Sequence, residues 1–329
     1  AMLYDQGRVN SALIIAPKGV YRNWKNQEIP AHLPDHIKAN IVCWSPTPTK
    51  KEKELLDSLS VITDDLTIFL MNIEALSTLK GYEAAYKFLL GHRSLMAIDE
   101  STTIKSSTAS RTKSALKLGQ HAKYRRILTG SPVTKSPLDL YTQCYFLDPY
   151  LLDFSSYWAF KNRYALMSQR TAAGGSHSYH HIIKYVRLDE LNAKLDKFST
   201  RILKEECLDL PEKIYMKRIV SLTPEQLKAY HEMKKFAVAE LEGKTMTAFS
   251  VLTQLMRLHQ ITCGHITLDD GTVKEIKSNR LKELLNALEE VDGKVIIWAN
   301  YRHDIRTITK ELEKKYGKSA VANLYGDTP

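Results

Sequence analysis

Ser94-Leu95-Met96-Ala97-Ile98-Asp99-Glu100-Ser101-Thr102 decides how the chain is read. A short apolar run delivers two adjacent acids at its carboxyl end. A run of this length without alternation fits a strand buried on both faces. In open α/β sheets the carboxyl edge is where ligands bind. Nucleotide hydrolysis can use such a pair, one carboxylate holding Mg²⁺ through water and its neighbour orienting and deprotonating the attacking water. Taken alone, the same pair also fits a solvated strand end.

Working outward, similar runs occur at Ser11–Pro17, Asn40–Trp44, Leu66–Asn72 and Arg125–Gly130. Helical patterns separate them at Val20–Ile29, Lys51–Ser60, Tyr82–Leu90 and Ala109–Leu118. Near-continuous apolar strands alternating with helices predict an α/β fold with a parallel sheet covered on both faces. After Pro149 the pattern changes. Helices are expected from Phe154 to Ser199, around a Gly/Ser/His loop at Ala172–His181. Ile214–Leu222 reads as a strand, and Thr223-Pro224-Glu225-Gln226 as a capping box opening a helix that Gly243 can end. Leu252, Leu255, Leu258 and Ile261 mark a second helix, and Leu281, Leu284, Leu285 and Leu288 a third. Strand Lys294–Ala299, helix Asp304–Tyr316 and strand Ala320–Tyr325 complete the expectation.

Composition excludes several classes. With 43% hydrophobic and 26% charged residues among 329, global disorder is ruled out and about two domains are expected. The net charge of +10 divides evenly, +5 up to Tyr150 and +5 beyond it. A positive field spread over the body favours an anionic partner, nucleic acid first, although a merely basic soluble protein would show the same sum. Apolar stretches such as Leu66–Met71 are too short to cross a bilayer, and the first ten residues lack a signal-peptide core. Cys43, Cys144, Cys207 and Cys263 are scattered without a CxxC, which suits a reduced cytosolic protein.

Two further strand ends carry chemistry. Ile127-Leu128-Thr129-Gly130-Ser131-Pro132 brings hydroxyls and a glycine to a strand terminus, and Ile14-Ile15-Ala16-Pro17-Lys18 leads through a turn to Trp24. The ordered series APK…NW, IDES…IK, LTGSP and VIIWANY resembles the Swi/Snf-related helicase-like ATPases of helicase superfamily two. LDLYTQCYFLDPYLLDF, STRILKEECLDLPEK, LTPEQLKAY, LMRLHQITCGH and NLYGDTP extend the resemblance over nearly the whole chain.

The resemblance implies a RecA-like lobe over 1–149, a helical insertion and inter-lobe bridge over 150–212, and a truncated second RecA-like lobe over 213–329. Carried over by position, Asp99 would hold Mg²⁺ through water and Glu100 would be the catalytic base, both serving Mg-ATP. Thr129, Gly130 and Ser131 would couple the nucleotide state to DNA contact. Pro17, Lys18 and Asn72 would lie along the DNA backbone, with Asn300 and Tyr301 near DNA on the second lobe. Arg201 and Lys204 match the bridge, where structural charge pairing is an equal alternative. The implied cofactors are ATP and Mg²⁺, and the implied partner is double-stranded DNA, bound by a monomer without a membrane.

Some positions depart from the family pattern. Thr102 stands where the family commonly has His, Ser106 where Asn is usual, and Ser131 where Thr is frequent. This form resembles phage and bacterial members, implying the cytoplasm of a bacterial or phage-infected cell. No G-x-x-x-x-G-K-[ST] occurs: Val238 precedes Gly243-Lys244-Thr245 where the first glycine should be, and Leu312 does so before Gly317-Lys318-Ser319. The family's P-loop would lie before residue 1 and its last arginines after Pro329, so a fragment unable to hydrolyse ATP alone is expected. The alternatives are a non-hydrolytic DNA-binding or interaction module, and the motor portion of a restriction or repair enzyme. His259, Cys263 and His265 suggest a metal cluster, but the family pattern accounts for them and no zinc site is expected.

Overall fold

The computed structural model describes residues 1–171, 178–242 and 248–326, with side chains left undescribed at 170–179 and 236–250. The chain divides into two compact units, Ala1–Cys207 and Leu208–Pro329.

The first unit is built on five strands: β1 (Ser11–Ala16), β2 (Ala39–Cys43), β3 (Leu66–Asn72), β4 (Ser94–Asp99) and β5 (Tyr124–Leu128). All pair in parallel, in the order β2-β3-β1-β4-β5. The α/β expectation is met strand by strand. Successive side chains of a strand point to opposite faces, and here both faces are covered. Leu13, Ile15, Phe69, Met71, Met96 and Ile98 face one core with Phe88, Leu89, Ala115, Leu118 and Phe146. Ile14, Ala16, Ile68, Leu70 and Ala97 face the other with Tyr21, Ile29 and Ile37. Each large side chain removed from water contributes roughly 1.5–3 kcal/mol, which is why these strands read as unbroken apolar runs.

The helices start where their chemistry allows. Thr49 and Glu52 form a reciprocal capping box at helix Lys50–Ser58. The Thr78 hydroxyl accepts the Gly81 amide at the start of helix Leu79–Gly91. The helix expected at Val20–Ile29 forms as consecutive runs Tyr21–Asn23, Trp24–Glu28 and Ile29–His32, the middle one wound with the wider i→i+5 turn.

The segment after Pro149 corrects an expectation. Helix Tyr157–Tyr164 leads into an antiparallel pair, β6 (Ala165–Thr171) and β7 (Ser178–Tyr185), and helix Leu188–Leu195 follows. The supposed helical insertion therefore contains a β-hairpin. Its second strand, Ser-Tyr-His-His-Ile-Ile-Lys-Tyr, is rich in aromatic and β-branched residues that fit a pleated surface. Much of the expected Gly/Ser/His loop, residues 172–177, lies outside the described residues. A cluster of Tyr141, Phe160, Tyr164, Leu152 and Leu191 anchors the hairpin's flanking helices.

In the second unit the capping box forms as read: the Thr223 amide donates to Gln226 Oε1 at 3.1 Å, and the Gln226 amide to Thr223 Oγ1 at 3.2 Å. It opens helix Pro224–Glu242, while Gly243 lies outside the described residues. Gln226 Nε2 reaches the carbonyl of Ile261 (2.8 Å) on helix Ala248–Cys263. An unexpected hairpin, β8 (His265–Thr267) and β9 (Val273–Glu275), follows. Gly264 begins it at φ +99°, and a Cβ there would lie 2.7 Å from Ser278 Cβ. Helices Arg280–Glu289 and Arg302–Tyr316 complete the unit.

The three strands expected at Ile214–Leu222, Lys294–Ala299 and Ala320–Tyr325 do not form. Among the described residues they have no ladder partner, and a lone extended segment has neither paired amides nor a covered face to stabilise it. Ile219, Trp298 and Leu324 are accordingly 96%, 90% and 93% exposed. Helix Ala248–Cys263 shows the same effect, with Leu252 and Leu255 exposed and Ile261 buried.

Candidate functional site at the carboxyl edge

The register of the first unit brings four distant sequence stretches to one edge. Ala16 pairs with Asn72, Ile15 with Ile98, and Asp99 with Leu128. Adjacent strands are about 4.8 Å apart. The turns at Pro17-Lys18, after Asn72, at Asp99-Glu100 and at Thr129-Gly130-Ser131 therefore leave the sheet side by side along β3-β1-β4-β5.

Asp99 is half-buried and held at both oxygens. Oδ1 accepts the Glu100 amide at 3.0 Å, and Oδ2 accepts Trp24 Nε1–H at 2.9 Å. Glu100 is exposed and adopts φ 49°, ψ 58°, in the left-handed region. For a non-glycine residue such backbone conformations cost about 1–3 kcal/mol and persist where surrounding structure imposes them. Here the constraints are the bond to Asp99 and the Glu100 carbonyl, which accepts the Thr103 amide at 2.9 Å. The strain turns the Glu100 carboxylate to solvent at the end of β4, instead of letting the strand continue.

A carboxylate has about four acceptor sites, so both Asp99 oxygens keep capacity beyond their present bonds. Two hard carboxylates at an open edge suit Mg²⁺, which retains several waters and needs only one or two protein carboxylates. Among the described residues no group of three or more His, Cys, Asp or Glu is placed to hold a metal. His259, Cys263 and His265 are each engaged by protein groups. His259 Nδ1 meets Tyr301 Oη at 2.8 Å, and Cys263 Sγ accepts from Arg280 at 2.8 Å. Buried His265 lies 3.1 Å from Asp304 Oδ1 without the geometry of a hydrogen bond, and packs against His303. Burial pushes the His265 imidazole below its ordinary pKa, against the opposing pull of Asp304.

The other expected site residues are placed as follows. Lys18 is exposed, and the Pro17 carbonyl accepts the Tyr21 amide at 3.0 Å. The Asn72 side-chain amide donates to Glu74 at 2.9 Å. Thr129 Oγ1 accepts the Ser131 amide at 3.2 Å, and Ser131 Oγ donates to the Val133 carbonyl at 3.1 Å. Gly130 has open space where a Cβ would stand. Arg201 and Lys204 are exposed, in the first unit. Asn300 and Tyr301 belong to the second; Asn300 is exposed, whereas the half-buried Tyr301 packs edge-on against His265. Tyr301 thus has a structural engagement that its motif position did not disclose.

The sequence pattern puts Trp24 in the helix after the Pro17-Lys18 turn but does not show its bond to Asp99. It also missed the buried pair Ser101 and Gln143. The available signal was a glutamine inside the apolar helix sequence LYTQCYFL, since a buried amide must find partners.

A parallel sheet that delivers an acid pair and further polar turns to a single edge presents the ligand-binding edge of an open α/β sheet. The SNF2-related domain model matches residues 2–267, and the chain belongs to that family. It is similar to protein p41 of Acyrthosiphon pisum secondary endosymbiont phage 1, 26% identical over 236 residues, covering 68% of this chain and 49% of that protein. It is also similar to the chromatin-remodeling ATPase INO80 of Cryptococcus neoformans, 27% identical over 233 residues, 68% of this chain and 12% of that protein. The mouse helicase-like transcription factor is 24% identical over 278 residues, 80% of this chain and 25% of that protein. The chain thus spans about half the length of the phage relative and far less of the others. Among solved structures, the Sulfolobus solfataricus SWI2/SNF2 ATPase core in complex with dsDNA gives a TM-score of 0.46 at 24% identity, over 95% of this chain and 61% of that one. Among the described residues no helix is long and apolar enough to cross a membrane.

Proposed function

We propose that the protein carrying this chain is an ATP-driven translocase on double-stranded DNA. The observation that supports this most is the convergence of four motif ends on one carboxyl edge, with Glu100 turned outward beside a doubly held Asp99. In this reading Asp99 would hold Mg²⁺ through water, and the pair Asp99 and Glu100 would serve bound Mg-ATP. Glu100 orients the attacking water and takes its proton. Thr129, Gly130 and Ser131 relay the state of that site to the DNA track. Pro17, Lys18 and Asn72 contact backbone phosphates from the first lobe, and Asn300 and Tyr301 from the second. Arg201 and Lys204 belong to the bridge over 150–212, between lobes at 1–149 and 213–329. Phosphate contacts of this kind make binding salt-dependent and weakly sequence-specific, consistent with the evenly spread +10.

The test is ATP turnover by the intact protein with double-stranded DNA, single-stranded DNA and RNA in parallel. Duplex DNA should stimulate most, and Glu100→Gln should reduce turnover roughly 10²–10⁴-fold, the range for a positioned base. Absence of DNA stimulation, or an unchanged rate in Glu100→Gln, would overturn the reading. The 329 residues alone, with no G-x-x-x-x-G-K-[ST], are expected to turn over no ATP. That same feature favours the second reading, a non-hydrolytic DNA-binding module, if the intact protein also proves inactive yet binds duplex DNA.

A further inference from the structure

Gln143 joins two of the four edge turns through the interior. Its side chain and that of Ser101 are both fully buried, at 0% exposure. Ser101 Oγ donates to Gln143 Oε1 at 2.6 Å. Gln143 Nε2 donates to the carbonyls of Pro132 and Asp139, each at 2.8 Å. Ser101 follows Glu100 directly, and Pro132 follows Ser131 directly. The far side of the second turn is clamped too. One oxygen of Asp139, Oδ2, accepts from the Thr134 amide (3.0 Å), the Thr134 hydroxyl (2.9 Å) and the Lys135 amide (2.9 Å). Burial alone would raise the Asp139 pKa, yet these bonds hold it below the ordinary carboxylate value. Lys105 donates to the same Thr134 hydroxyl and lies 4.0 Å from Asp139.

A primary amide is a rigid plane with two hydrogens. Both hydrogens of Gln143 are committed, so the group cannot swing after Ser101 without abandoning Pro132 or Asp139. In a dry interior an abandoned partner is costly. The turn after Glu100 and the loop 131–135 must therefore shift together, or the Ser101 bond must break.

We infer that Gln143 is a positioning residue, a buried relay that transmits displacement of the acid turn at Glu100-Ser101 to the loop following Thr129-Gly130-Ser131. The functional part of this inference rests on the translocase reading; the mechanical link does not.

Two arms test them separately. In the first, amide hydrogen exchange is measured on the 329-residue chain and on Ser101→Ala, which deletes one hydroxyl and should fold. Exchange at the amides of Ser131, Val133, Thr134 and Lys135 should rise at least tenfold, while β3 stays protected. Exchange there within twofold of wild type would overturn the relay. Gln143→Leu should give the same loosening. The double variant Ser101→Ala/Gln143→Leu, with both partners apolar, should recover thermal stability relative to Gln143→Leu while its loop stays loose. Recovery of loop protection together with stability would also overturn the relay, reducing Gln143 to a packing role. In the second arm, the ratio of DNA-stimulated to basal ATP turnover is measured on the intact protein. It should fall at least fivefold in Ser101→Ala and in the double variant, and an unchanged ratio in both would overturn the functional relay. A wild type without DNA-stimulated turnover would overturn the translocase reading, leaving the exchange arm to decide the mechanical link.

Discussion

The bond from Trp24 Nε1 to Asp99 Oδ2, at 2.9 Å across 75 residues of sequence, makes a prediction that needs no nucleotide. Trp24→Phe removes the donor and keeps an aromatic ring. Hydrogen bonds to charged groups contribute about 1.5–3 kcal/mol when well buried. Both side chains here are half-buried, so water can replace part of the interaction, and about 1–1.5 kcal/mol is the reasoned coupling. Trp24→Phe should cost more than this, because the smaller ring also leaves packing unfilled. Asp99→Ala loses the Trp24 bond together with its bond to the Glu100 amide. The pairwise term is therefore isolated by a double-mutant cycle over wild type, Trp24→Phe, Asp99→Ala and the double variant. Urea unfolding followed by far-ultraviolet circular dichroism gives the four free energies without using Trp24 as reporter. For a unit of this size, about 1 kcal/mol corresponds to a shift of roughly 2–4 °C in Tm. A coupling below about 0.3 kcal/mol, within ordinary additivity, would refute the idea that Trp24 fixes the acid.

Other outcomes follow from single features. Helix propensity alone says Gly81→Ala should stabilise by about 1 kcal/mol. The new Cβ, however, would sit 2.2 Å from the Ala75 carbonyl oxygen, so a net loss of roughly 1–3 kcal/mol is expected in urea melts. Thr49→Ala should lose about 1 kcal/mol through the capping box, read by the same melts. His265 resists protonation in the folded protein because it is buried. The unfolded chain therefore binds the extra proton more readily, and stability is lost as pH falls through the ordinary imidazole value toward the lower folded one. The urea midpoint of the second unit should drop between pH 7.5 and 5.5, and His265→Gln should flatten that dependence. Cys144, buried with its thiol pushed up to about 12, should resist alkylation at pH 8 until the protein unfolds, whereas exposed Cys207 should label at once.

The sheet was legible because its central strands β1, β3 and β4 are buried on two faces, which leaves a local mark: Leu13-Ile14-Ile15 and Phe69-Leu70-Met71 are apolar without alternation. The acid pair at Asp99-Glu100 was legible for the same reason, since a sharp polar ending to such a run marks the edge. What failed depends on partners far along the chain. Lys294–Ala299 has strand-like composition, but composition does not supply a neighbour, and Ile296 and Trp298 stay exposed. The β6–β7 hairpin was hidden because its strands border a Gly/Ser/His stretch inside a segment of helical character. The contacts of Trp24 with Asp99 and of Gln143 with Ser101 depend on how helices lie against strand ends. No spacing rule reads that from one sequence.

The strand order also bears on how the chain is made. β1 is central, flanked by β3 and β4, so the first of the five strands to leave the ribosome is the one most dependent on later ones. Its residue Ala16 and the partner of that residue, Asn72 of β3, are 56 residues apart, which at roughly 5–20 residues per second leaves the strand unpaired for about 3–11 s. During that interval the nascent chain displays Ala-Leu-Ile-Ile-Ala to its surroundings, followed by a basic turn at Lys18. Such a segment is a ready ligand for a holding chaperone. Slowed synthesis between residues 20 and 66 would lengthen the exposure and lower the yield of soluble protein without changing a single native contact.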